Sequence, residues 1–338
     1  MTVKTRYFVI VSLLVVVVGL GTGLVAYYVG FPATAFFSGN GPEELRYLPE
    51  TASVLGYVEV REIMASELRQ RLRHDVAPYT GDNGRREFQE LTGINFETDI
   101  ERVIGCFDSG PSSTNNGLIL ARGLFDSTKI EALMREHGAQ LQEYKGSRLI
   151  VADHFGDVVN PTAKSDFSLT FIEPGLIAFG STPLVKHAID LHAGGGSSAA
   201  TNDDLVAHLR GLEGANAWVV GRLDLLRQRA KLPEVVNSQI PPITWFSIRG
   251  QVDGGLQARL TAEARDDEAA NMLRDVVRGF LALARLESSS KPEFQRFVQS
   301  LQLGGAGKTV SLSLDVPGQV FDALSAAIPK PPVERQAH

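Results

Sequence analysis

The residues with types suited to chemistry are few, and their spacing argues against each site in turn. Gly304-Gly305-Ala306-Gly307-Lys308-Thr309 ends like a phosphate-binding loop. Such a loop needs a leading glycine where this chain has Gln302, and a following helix whose first amides complete the cradle. The residues after Thr309 pattern as a strand, so a turn is expected there. His187, Asp190 and His192 fall on one helix, but residues five apart point about 140° from each other, so the two histidines cannot share a metal ion. His192 groups with Val185, Ala188 and Ile189 and is expected to be partly buried, with His187 and Asp190 facing solvent. Asp153, His154 and Asp157, before Pro161, are a sparse ligand set, and a solvated loop is expected under the ligand count a metal requires.

Ser181 lies between a strand and a helix in Phe179-Gly180-Ser181-Thr182-Pro183, which superficially resembles a nucleophile elbow. The chain has no Gly-x-Ser-x-Gly, and a helix cap by Ser181 or Thr182 is the simpler reading. Cys106, the single cysteine, sits in the apolar run Val103-Ile104-Gly105-Cys106-Phe107 and is expected to be a buried small hydrophobe. Asp203-Asp204 and Asp266-Asp267-Glu268 belong to first helical turns, where carboxylates complement the helix dipole. No catalytic, cofactor-binding or metal-binding residue is assigned; a non-enzymatic protein without a cofactor is expected.

The aromatic and apolar residues leave two readings open. Trp218, Trp245 and Phe246 in strands, and the broadly apolar run 280–284, form either a shared core or a groove for a lipid or hydrophobic peptide.

These residues must be positioned by a chain of 338 residues, 43% hydrophobic and 21% charged, an ordinary globular composition. The uncharged apolar run 7–29 would reach about 35 Å as a helix, enough for a hydrocarbon core of about 30 Å. Lys4 and Arg6 precede it, and no basic residue follows until Arg46, so residues 1–6 are expected in the cytoplasm and the bulk of the chain outside the inner membrane. A cleaved signal peptide with Ala33-Thr34-Ala35 as its site competes, but its apolar core would be too long. Tyr27, Tyr28, Phe31, Phe36 and Phe37 suit an outer-interface aromatic belt. Gly19 and Gly23 would let two spans approach as a dimer, or are simply tolerated in a lone helix. The formal charge of −6 becomes more negative outside the membrane, because the short inner side is basic, and disfavours nucleic acid.

The remainder reads as α+β: a largely antiparallel sheet packed with helices, after a tether over residues 30–48. A strand at 53–60 precedes an amphipathic helix over 61–74 carrying Ile63, Met64, Leu68 and Leu72 on one face. Hairpins are expected over 100–123, around Tyr144-Lys145-Gly146, and around Glu173-Pro174-Gly175. Asp126 or Ser127 caps one helix, Thr182-Pro183 opens another, and a third begins at Asn202. A strand over 215–222 and a helix over 223–231 restart the pattern, followed by a hairpin over 243–264. Asp266 then opens a long helix with Ala269, Leu273, Val276, Val277, Phe280 and Ala284 on one face. A strand at 310–316, a helix at 321–328 and a disordered tail at 329–338 close the chain. The recurrence suggests two degenerate copies, 49–212 and 213–328, against the alternative that α+β patterns recur by chance.

Leu48-Pro49-Glu50-Thr51 leading into a strand, the stretch from Leu91 to Ile100 followed by Ile104-Gly105, and Tyr144-Lys145-Gly146 resemble an uncharacterised bacterial family of envelope proteins. The resemblance covers most of the first copy. It implies one N-terminal membrane helix followed by an exported α+β region, with no catalytic residues to carry over. The expected function is a membrane-anchored binding or assembly module of the cell envelope with a protein partner. A lipid or apolar-ligand carrier is the alternative, and a divergent hydrolase around Ser181 or metal enzyme around His154 the third reading.

Overall fold

The apolar runs between the Gly-, Pro- and Asn-rich turns pair into one sheet, because residues alternating in two directions bury both faces under helices. In the computed structural model the described residues are 42–76, 89–90, 92–108, 117–152, 167–224, 241–288 and 292–321. The apolar run 7–29, Asp153, His154, Asp157, most of the segments 223–231 and 321–328, and the tail 329–338 lie outside them. Among the described residues no helix is long and apolar enough to cross a membrane.

The elements are β1 (Ala52–Val58), α1 (Val60–Ala65), α2 (Glu67–Val76), β2 (Ile100–Asp108), β3 (Gly117–Gly123), α3 (Ser127–Glu136), β4 (Gln140–Tyr144), β5 (Ser147–Ala152), β6 (Phe167–Glu173), β7 (Leu176–Ser181) and α4 (Thr182–His192). They continue with α5 (Asp203–Leu209), β8 (Ala217–Arg222), β9 (Ile243–Val252), β10 (Gly255–Ala264), α6 (Asp267–Ser288), α7 (Pro292–Gln299), β11 (Gln302–Gly304) and β12 (Thr309–Pro317). The protein is α+β. Among the described residues 12 strands form one sheet in the order β11-β12-β10-β9-β8-β1-β2-β3-β7-β6-β5-β4, with antiparallel pairing throughout, as in β1 with β8. β1 and β8 meet inside the sheet, where the strands of the first half join those of the second, and each is flanked outward by its own hairpin, β2–β3 or β9–β10.

One face packs Leu55, Tyr57, Ile104 and Leu118 under α4, α5 and the 3-10 turn Glu43–Tyr47. The other packs Val103, Ala121 and Ile177 under α1 and α3. The expected hairpins are present. At the β4–β5 turn Lys145 and Gly146 take φ of 50° and 80°, the two left-handed residues that a two-residue hairpin turn needs. Asp126 caps α3 by accepting from the Lys129 amide at 3.0 Å.

The helix expected over 61–74 is two helices. Ser66 is extended, with ψ 146°, and its hydroxyl donates to the Ile63 carbonyl at 2.8 Å while accepting from the Arg69 amide at 3.2 Å. A serine that bonds backbone on both sides competes with the helical ladder and breaks it. α2 then reaches the second half: the Leu68 amide donates to the Asp253 carbonyl in the β9–β10 turn at 2.8 Å. The Leu48-Pro49-Glu50-Thr51 segment is stitched to the Gly194–Ser198 loop region, where Pro49 bridges Ser198 and the Ala199 amide donates to the Leu48 carbonyl at 2.9 Å.

Candidate functional site

α6 carries the most uncommitted surface. Asp266 opens it, accepting from the Ala269 amide at 2.8 Å. Ala269, Ala270, Leu281 and Ala284 are buried, and the first three belong to the clusters that hold Val310, Leu314 and Val316 of β12. Met272, Val276, Phe280, Leu283 and Leu286 are exposed, from 40% at Val276 to 72% at Leu286. Met272, Val276, Gly279, Leu283 and Leu286 follow one another by alternating four and three residues, the spacing of a helix–helix seam. The expected single buried stripe is therefore corrected. Val276 and Phe280 turn outward and Leu281 takes the buried place, because at about 100° per residue the apolar arc is wider than one flat sheet can cover.

About 150° around the helix from that ridge, Arg274, Arg278 and Arg285 line a groove of about 630 Å³ between α6 and β11, walled also by Leu281 and Leu301. Arg274 is braced: it donates to the Thr309 carbonyl at 3.0 Å and to Asn271 Oδ1 at 2.8 Å. Arg278 pairs with Asp275 at 2.8 Å with both side chains well exposed. Neither α7 nor β11 was foreseen in the sequence, so the groove they help form was missed. The available signal was a row of arginines on a helix already amphipathic on another side.

The start of the described chain is clamped to the sheet by charge. Glu44, its side chain 2% exposed, accepts from Arg102 Nε at 2.9 Å and Arg122 Nε at 2.6 Å. Arg122 also donates to Glu173 at 2.8 Å, and Arg46 approaches Glu173 at 3.7 Å. Burial opposes the Arg122 charge, but the bonds to Glu44 and Glu173 outweigh it and hold its pKa above normal. The Arg122 hydrogen bond likewise holds Glu173 below the usual carboxylate range. Guanidinium groups at Arg102 and Arg122, within strands whose neighbouring residues are largely apolar, were the overlooked signal for this network.

The residues singled out for chemistry remain apart. Cys106 is buried, and burial pushes its thiol well above the ordinary range. Ser181 occupies the N-cap position of α4 without capping it, which corrects the cap expectation; Pro183 removes the amide of the second helical residue. Its hydroxyl is buried without a hydrogen-bond partner among the described residues, while Thr182 bonds Ser168 at 2.6 Å. His192 is exposed and His187 half-buried, reversing the expectation, because His192 is the last residue of α4, where its ring lies tilted against Tyr47 with centroids 5.6 Å apart. Asp190 is engaged by Lys145 at 2.7 Å and by the Tyr144 hydroxyl at 3.2 Å. The Gly304–Thr309 segment is a turn into β12: the Thr309 amide donates to the Ala306 carbonyl at 3.0 Å. Gly305 has φ 97°, and a Cβ there would collide with the Thr309 carbonyl, so the turn itself accounts for that glycine. Among the described residues no group of three metal-ligating side chains converges. An apolar cavity between the sheet and α3, bordered by Ile100, Met134 and Phe179, holds about 40 Å³.

No family model matches the chain, and no curated protein matches it. A solved structure described as "Structure of crystal form I of TP0453" is similar to it with a TM-score of 0.46 and 9% identity, over 86% of this chain and 99% of that one.

Proposed function

We propose that the chain is a single-pass, membrane-anchored binding or assembly module of the cell envelope, working without catalysis or cofactor. In this reading residues 7–29 span the inner membrane, the short N-terminus stays inside, and the sheet domain meets a protein partner outside. The observation that carries the binding role is the ridge of Met272, Val276, Leu283 and Leu286, with Gly279 between them, exposed along a helix whose Ala269, Ala270, Leu281 and Ala284 are buried. Its four-three spacing suits a partner helix. The membrane placement rests on the length and flanking charges of the apolar run. The mirrored order about β1 and β8 supports reading 49–212 and 213–328 as degenerate copies.

A carrier of apolar ligands is less well supported. Ligand pockets run about 300–1,000 Å³, and the apolar cavity among the described residues is about 40 Å³. The test is affinity purification of the full chain and of Leu283→Asp from native membranes in mild detergent, with mass spectrometry of co-purifying proteins and lipids. A protein partner recovered with the parent and at least about tenfold depleted with Leu283→Asp is expected, the loss typical of a central apolar contact. Equal recovery, or lipid alone, would contradict the reading.

A further inference from the structure

We propose that the groove between α6 and β11 receives an extended acidic segment of a partner protein, added as a strand to the edge of the sheet. This names a partner class for the binding reading above and rests on it, at a surface distinct from the α6 ridge.

Three observations converge on the groove. β11 ends the sheet, with β12 as its only strand neighbour among the described residues, and Gln302 and Gly304 are exposed. An edge strand presents unpaired backbone groups that template an incoming strand. Beside that edge lies the groove of about 630 Å³, walled by Arg274, Arg278 and Arg285.

The dimensions agree. From Arg274 to Arg285 the helix advances about 16 Å, which five extended residues cover at about 3.3 Å each. Alternate side chains of such a segment would face α6, so carboxylates at every second position meet the guanidinium row, where charge-assisted bonds are strongest.

Charge selects the occupant. The chain as a whole carries −6, so this row is a local inversion of sign. Arg274 is held in place by the Gly307 and Thr309 carbonyls. Arg278 faces one exposed carboxylate, Asp275, and Arg285 has no ion pair among the described residues. Leu281 and Leu301, both buried, give the groove an apolar wall. A recess with backbone donors and acceptors on one side suits a peptide better than a flat headgroup surface.

The test uses the full-length chain in neutral detergent micelles. The probe is a fluorescein-labelled seven-residue peptide alternating valine and glutamate, with the valine–lysine peptide as control, read by anisotropy. Hydrogen exchange of residues 302–304 is followed in the same samples. Arg278→Glu and Arg285→Glu alter exposed side chains, so folding is retained and checked by circular dichroism. Binding of the acidic peptide, weakened at least about tenfold by either reversal, with slowed exchange at 302–304, is the expected result. Equal binding by the variants, equal binding of the lysine peptide, or unchanged exchange at 302–304 would overturn the proposal. So would anionic phosphatidylglycerol vesicles that bind through Arg278 and Arg285 when the peptide does not. Should the peptide fail while the Leu283-dependent partner is still recovered, the groove proposal falls and the binding reading stands.

Discussion

Tyr57 and Trp218 stack at the junction of β1 and β8, with ring centroids 5.3 Å apart and planes 24° from parallel. They are register partners across the two central strands, and both are buried. One aromatic pair therefore joins the sheet's two sequence halves at the seam between them, where stacked rings add to the area they bury.

Trp218→Ala is expected to cost about 3–5 kcal/mol of stability, the range for deleting a buried large aromatic. Urea unfolding followed by circular dichroism checks this. One transition at a lower midpoint is expected. A loss confined to one of two separate transitions would mean that the halves do not share this core.

The order of elements was legible in the sequence wherever periodicity and turn chemistry agreed. Asp126, Lys145-Gly146, Pro174-Gly175 and Asp253-Gly254 each marked a boundary that the structure keeps. What could not be read depended on contacts between distant segments. Ser66 breaks a helix that its neighbours' spacing would continue, because its hydroxyl bonds both sides of the gap. Val276 and Phe280 share a helical arc with buried residues, and only the placement of α6 on the sheet decides which of them is covered. The clamp on Glu44 joins residues 58 and 78 positions away, a separation at which periodicity carries no signal. The candidate surface on α6 was visible as an excess of apolar residues; the groove beside it required knowing that β11 is an edge.

Glu44→Ala removes the buried carboxylate shared by Arg102 and Arg122, whose partly exposed guanidinium groups keep Glu43 as a second partner. A loss of about 1.5–3 kcal/mol is expected, the range for hydrogen bonds to charged groups, whereas Glu43→Ala, half exposed, is expected to cost under about 1 kcal/mol. Chemical denaturation of both variants checks the contrast. The same clamp sets a pH dependence. Glu173 is held below its ordinary value of 4.5 in the folded state, so its contribution is complete above that value and is lost as pH falls through the lowered one. Glu173→Gln is expected to flatten the acid limb of the stability profile.

The Cys106 thiol is expected to be inert to a thiol-specific dye at pH 8 in the native protein and to react fully once urea unfolds it. Burial withdraws the thiolate that the dye requires,. Rapid labelling without denaturant would show the β2 core to be open.

Membrane topology provides an independent check on the placement. Protease added outside intact spheroplasts is expected to digest the domain while sparing a short fragment containing residues 7–29. Protection of the whole chain until lysis would place the domain in the cytoplasm.

The most direct test of binding through α6 is a photo-crosslinking amino acid introduced in intact cells at Leu283, with exposed Thr128 on α3 as control. A discrete protein adduct from position 283, absent from position 128, is the expected result. No adduct at 283, or the same products from both positions, would contradict the account.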